Sequence, residues 1–214
     1  MRSALHRRLR AVARRLAPDL GRLGVHAQRL IPPVLAVGDV GGSEARSDEV
    51  ELLRGVRLEA ALHPRFSDVY KSYWGALVAD LEAVGVEILV RHTGLAPMVE
   101  AASSRSVDLI ASRWIADVPD AASFADLFHS DEGLLGRPLC EPRLDRLIEA
   151  ACFESDPAIR QTLYRDLERL LVDEALVVPL FHEQLCRVAA SGVDGLRLRY
   201  GWPEVAYEEL SLRR

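Results

Sequence analysis

The stretch RWIADVPDAASF, residues 113–124, sets an indole and two carboxylates, Trp114, Asp117 and Asp120, close together. A carboxylate beside an aromatic wall can hold an ammonium or another cationic donor by a charge-assisted hydrogen bond. The same residues also suit plain loop chemistry. Asp side chains next to Pro119 and ahead of a helix near Phe124 can accept backbone N–H groups in Asx-type turns. Residue types and spacing leave both readings open. Arg113 adds a positive charge directly beside the group.

Elsewhere the chain offers little for catalysis. His182 with Glu183, and His129 with Asp131 and Glu132, bring histidine and carboxylate together in sequence. Neither has the helix-face spacing of a metal site. A strand-end histidine and a solvated loop are the simpler readings. There is no GxSxG, no P-loop and no GxGxxG, and Ser103, Ser104 and Ser106 fall in a polar turn. Positive evidence for catalysis is absent, and no catalytic residue, metal ligand or cofactor is expected.

The elements around the stretch explain why it is interesting. VDLIAS (107–112) reads as a buried strand ending just before Trp114. Ahead of it come a strand VRLEAAL (56–62), a helix over 66–84 and a strand VEILVR (86–91), then a short helix over about 95–104. In the long helix Phe66, Val69, Tyr70, Tyr73, Trp74, Leu77, Val78, Leu81 and Val84 follow helical spacing, and Gly85 is placed to end it. Strand, helix, strand, helix, strand predicts an α/β fold around a largely parallel sheet. Loops at the carboxyl edge of such sheets are where open α/β folds bind ligands.

Past the stretch the pattern turns helical. EPRLDRLIEAACF carries Leu144, Leu147, Ile148 and Ala151 on one face. The next helix starts at Pro157 with Asp156 as its cap, and Ile159, Leu163, Leu167, Leu170 and Leu171 make its stripe. LVVPLFH, LCRVAA and GLRLRY read as short strands, residues 1 to about 17 as a helix ended by Pro18, and 37–49 as a Gly/Ser/Asp-rich loop.

Composition bounds the rest. The 214 residues are 49% hydrophobic and 28% charged, the balance of a globular protein with a real core. A net charge of −5 gives no reason to expect a nucleic-acid partner. Cys140, Cys152 and Cys186 have no CxxC spacing and are expected to be buried thiols. No apolar run approaches the ~20 residues needed to span a bilayer, and the basic start has no uninterrupted apolar core, so no secretory signal is read in this chain.

Four blocks then occur in a telling order: D-x-x-x-x-x-W-x-A-D-x-x-D-x-x-x-F from Asp108, L-D-x-L-I-x-x-A from Leu144, D-P-x-x-R-x-x-L-Y from Asp156 and V-P-L-F-H from Val178. Together they resemble the carboxyl-terminal half of a family 5 extracytoplasmic solute-binding protein, the oligopeptide, dipeptide and nickel-binding class that serves ABC importers. GRLGVHAQRLIPP, VRLEAAL and VGVEILV fit the same pattern. The resemblance implies a type II periplasmic-binding-protein-like fold, with this chain mainly its second α/β lobe, a mixed sheet flanked by helices. Residues 1–50 would be an N-terminal helix and loop belonging to that lobe, 51–192 the solute-binding lobe, and 193–214 a strand and tail returning toward the other lobe.

By the same resemblance, Asp117 is the position that meets a ligand's free α-amino group. Trp114 stands beside it, and Arg113 joins them as a candidate ligand-binding residue. Arg113 replaces the family's usual glycine, Val118 its aromatic and Ala121 its proline. The implied function is binding of a small peptide or similar ligand in an ABC import system, with permease subunits as partners and an extracytoplasmic address. The alternative is a sensor module of the same kind fused to a cytoplasmic regulator.

Overall fold

The computed structural model describes residues 1–21, 24–32, 34–35, 51–184, 186–199 and 203–213. The Gly/Ser/Asp-rich stretch 37–49 lies outside the described residues, as do parts of GRLGVHAQRLIPP and the end of GLRLRY.

The centre is a three-stranded parallel sheet of β2 (Val56–Leu62), β3 (Val86–Thr93) and β4 (Leu109–Ala111), ordered β3-β2-β4. The pairing runs from Val56↔Val86 to Leu62↔Thr93 on one side of β2, and from Ala60↔Leu109 to Leu62↔Ala111 on the other. Alternation along β2 sends its side chains to both faces. Leu58, Ala60 and Leu62 meet α2 (Lys71–Glu82) and α1 (Arg2–Arg15), whereas Ala61 meets Met98 and Ala101 of α3 (Leu95–Ser104). The helices thus cover the sheet on two sides, as parallel strands require.

The helix expected over 66–84 is shorter. Pro64–Ser67 forms a 3-10 turn closed by His63, whose Nδ1 accepts from the Arg65 N–H at 3.2 Å, and the backbone breaks at Asp68 before α2 begins. Phe66 and Tyr70 are buried at helical spacing by packing, not by one continuous helix. Gly85 does adopt a positive φ of 86°, and Arg54 lies within 3.2 Å of where a Cβ would sit, so a side chain there would be both strained and crowded.

A second core lies under the helices that follow. These are α4 (Ala122–Ala125), α5 (Gly136–Leu139), α6 (Pro142–Phe153) and α7 (Pro157–Asp173). Asp156 caps α7 by accepting from the N–H groups of Ala158 (2.8 Å) and Ile159 (3.3 Å). Phe124, Phe128, Leu144, Ile148, Tyr164, Leu167 and Leu171 fill this core. The buried stripe of α7 is rotated from the expected one: Ile159 is exposed, while Tyr164 and Glu168 are inside. Glu168 is there because it has partners. It forms an ion pair with Arg29 and accepts from the Ile31 N–H at 2.7 Å, which ties the segment after β1 (Gly24–His26) to the middle of α7.

Two further expectations change. LVVPLFH contributes only β5 (Phe181–Glu183), antiparallel to β1, and LCRVAA forms no strand among its described residues. Pro179 has no N–H to give a ladder, and the Leu176 and Val177 N–H groups bond back to the carbonyl of Leu171. The three cysteines are not buried. All are free and exposed, Cys140 after α5, Cys152 on the outer side of α6 and Cys186 after β5. The tail closes with β6 (Val193–Asp194) antiparallel to β7 (Ser211–Leu212).

Candidate ligand-binding site

The segment after β4 leaves the sheet at its carboxyl edge, beside the start of the turn after β2, where the His63 N–H donates to the Ala111 carbonyl at 2.8 Å. β2 and β4 are neighbours there, although β3 lies between them in sequence. The edge is therefore the topological switch point of the sheet.

Two sets of contacts pin this segment. At its entrance the Arg113 guanidinium grips both carboxylate oxygens of Glu183, the last residue of β5. The Tyr70 hydroxyl acts on the same carboxylate and favours its charged form. Burial of Glu183 opposes its charge, but the bonds from Arg113, helped by the nearby Tyr70, outweigh it and hold the carboxyl below its usual range. Burial, helped by Glu183, pushes the Tyr70 phenol up to about 12, so it stays a donor. Burial also pushes the nearby His63 imidazole down, and Arg113 and Arg65 act in the same direction, which leaves it neutral at neutral pH.

At the exit the Trp114 indole N–H donates to the Ser123 carbonyl at 2.6 Å, folding the segment back on itself. Asp120 accepts from the Ala122 N–H at 2.8 Å and takes two bonds of 2.9 Å from Arg160 on α7. Arg160 in turn lies over the Tyr164 ring and donates to its hydroxyl at 3.0 Å.

Between these anchors stands Asp117. It is exposed and, among the described residues, has no hydrogen-bond or ion-pair partner. Its neighbours in the chain Trp114 (43% exposed), Ile115 (50%) and Val118 (54%) are exposed apolar residues. In the structure Asp120 belongs to the scaffold, bonded to the Ala122 N–H and to Arg160, and Asp117 is exposed. The structure also commits the charge of Arg113 to Glu183. Glu183, Tyr70 and Arg160 carried no signal as members of this site, since each enters through a contact distant in sequence. Among the described residues no group of three or more His, Cys, Asp or Glu is placed to hold a metal, and no helix is long and apolar enough to cross a membrane.

Comparison with solved structures is decisive for the fold. The chain superposes over 99% of its length on the clavulanic acid biosynthesis oligopeptide binding protein 2, with a TM-score of 0.77 and 21% identity, covering 44% of that chain. The chain has the fold of about half of a periplasmic-binding-protein-like structure. A NikA structure from Brucella suis in complex with Fe(III)-EDTA matches over 97% of this chain and 48% of that one, with a TM-score of 0.75 and 19% identity. In sequence, "Probable di/tripeptide-binding protein 5" of Pseudomonas aeruginosa is 27% identical over 126 residues, which are 57% of this chain and 24% of that protein. The likeness to family 5 solute-binding proteins carried by the four sequence blocks therefore has independent support in three dimensions. The matched part is less than half of each of these three relatives. No family model matches the chain.

Proposed function

We propose that this chain is one lobe of the solute-binding component of an ABC import system and that it takes a small peptide or similar ligand with a free amino terminus. The carrying observation is the exposed carboxylate of Asp117, without a partner among the described residues and three positions after the exposed Trp114, on a segment fixed at both ends. A ligand ammonium completes a charge-assisted hydrogen bond with Asp117, and Trp114 supplies the apolar wall against which the first side chain lies. The lobe corresponds to the carboxyl-terminal half of the longer relatives. It works by closing with a second lobe around the ligand, and permease subunits at an extracytoplasmic membrane face recognise the closed form. The names of the matched proteins support this reading, because each is named as a binding protein or was solved with a small ligand.

Titration calorimetry on the full-length native protein tests it, with trialanine and N-acetyl-trialanine as probes. The expected result is a preference of about tenfold or more for the free amine, the scale of one hydrogen bond to a charged group. Equal affinities, or no binding of either peptide, would overturn the proposal.

A further inference from the structure

The amine-binding reading faces an electrostatic difficulty, and the structure supplies a way past it. Arg113 stands four positions before Asp117 on the same short segment. An uncompensated guanidinium there would repel the ligand ammonium that Asp117 is to receive. Arg65, exposed at the turn after β2, acts on the same cluster and adds a second cation. Among the carboxylates that act on Arg113, Glu204 is engaged with Arg187, which leaves Glu183 as the one bound to it directly.

Glu183 is well placed for this role. Its side chain is only 24% exposed and that of Arg113 only 21%, so solvent screens the pair weakly. Both carboxylate oxygens are engaged by Arg113, through Nε and through Nη2, the latter at 2.5 Å. Phe181, two residues earlier on β5, packs against Phe66, Tyr70 and Tyr73 with ring centroids 6.5, 4.7 and 5.2 Å apart. That aromatic cluster fixes the strand that carries Glu183. The fork-to-fork geometry also fixes the guanidinium plane, and with it the start of the Trp114–Asp117 segment.

We infer that Glu183 is a positioning and specificity residue for the proposed site: it neutralises Arg113, so that Asp117 presents the dominant charge to the ligand and the site selects a cationic amine. This rests on the reading of Asp117 given above. Glu183 does not touch the ligand and acts through Arg113.

The test compares the full-length native protein with Glu183→Gln and with the double variant Arg113→Gln/Glu183→Gln, titrating each with trialanine and N-acetyl-trialanine. Glu183→Gln is expected to weaken trialanine binding about tenfold while changing N-acetyl-trialanine little. That is the scale of one added unit charge acting over roughly 10 Å at an effective dielectric of about 20. The double variant, which removes both charges and leaves two amides able to bond each other, is expected to recover most of the loss. A merely structural role for Glu183 predicts that the double variant stays as weak as the single one, or that both peptides weaken together. Either result would overturn the inference, as would an unchanged preference for the free amine in Glu183→Gln. A native protein that does not distinguish the two peptides would instead remove the Asp117 reading, and this inference with it.

Discussion

Arg160 and Asp120 are joined by two parallel hydrogen bonds of 2.9 Å across a separation of 40 residues. Each belongs to a different sequence block, Asp120 to W-x-A-D-x-x-D and Arg160 to D-P-x-x-R-x-x-L-Y. The contact gives a physical reason for the two blocks to occur together: the second supplies the cation that holds the first in its turn.

That contact makes a prediction about acid. The bond from Arg160 holds the Asp120 carboxyl below its ordinary range, against a smaller opposing effect of burial. A carboxyl with a depressed folded pKa contributes stability that is present above its unfolded value, near 4, and is lost as pH falls through the folded value. Urea unfolding should therefore show a loss of stability below about pH 4 that Asp120→Asn reduces. At neutral pH Asp120→Ala should cost about 1–2 kcal/mol, mainly through the lost acceptor for the half-buried Ala122 N–H, since the ion pair is about one-third exposed and partly screened.

The buried pair of Glu168 and Arg29 should behave differently. Glu168 is fully buried, and its removal leaves a buried guanidinium without that carboxylate and the Ile31 N–H without its acceptor. Glu168→Ala is expected to destabilise by about 3–5 kcal/mol, read from denaturant midpoints. The double change Glu168→Leu/Arg29→Met should cost clearly less than Glu168→Ala, because it removes the buried guanidinium together with the Glu168 carboxylate. A double variant as unstable as the single one would contradict this account of the second core.

The exposure of Cys140, Cys152 and Cys186 predicts that all three thiols react with Ellman's reagent in the folded protein, without denaturant and as single-exponential or faster phases. Thiols that react only after unfolding would contradict their placement.

The sequence made some elements plain and hid others, for identifiable reasons. The helix over 95–104 and the Asp156-capped helix from Pro157 are where spacing and caps placed them, because local signals dominate there. The start of α2 was hidden because Phe66 and Tyr70 keep helical spacing while a 3-10 turn breaks the backbone between them. The stripe of α7 was hidden because Glu168, polar by type, is buried with a partner, Arg29, 139 residues away. The cysteines misled because apolar character says nothing about which face of a helix end meets solvent. At the site, Trp114 and Asp117 could be named from spacing and resemblance together. The grip of Glu183 on Arg113 spans 70 residues and exists only in the fold.

The most direct measurement of the central claim is the affinity of Asp117→Asn for trialanine, set against the native full-length protein by calorimetry at neutral pH. The substitution keeps the size of the side chain and removes its charge. Trialanine should bind about tenfold or more weakly while N-acetyl-trialanine is unaffected, as expected for loss of one hydrogen bond to a charged group. An unchanged affinity for trialanine would contradict the assignment of Asp117 as the ligand's amine receptor.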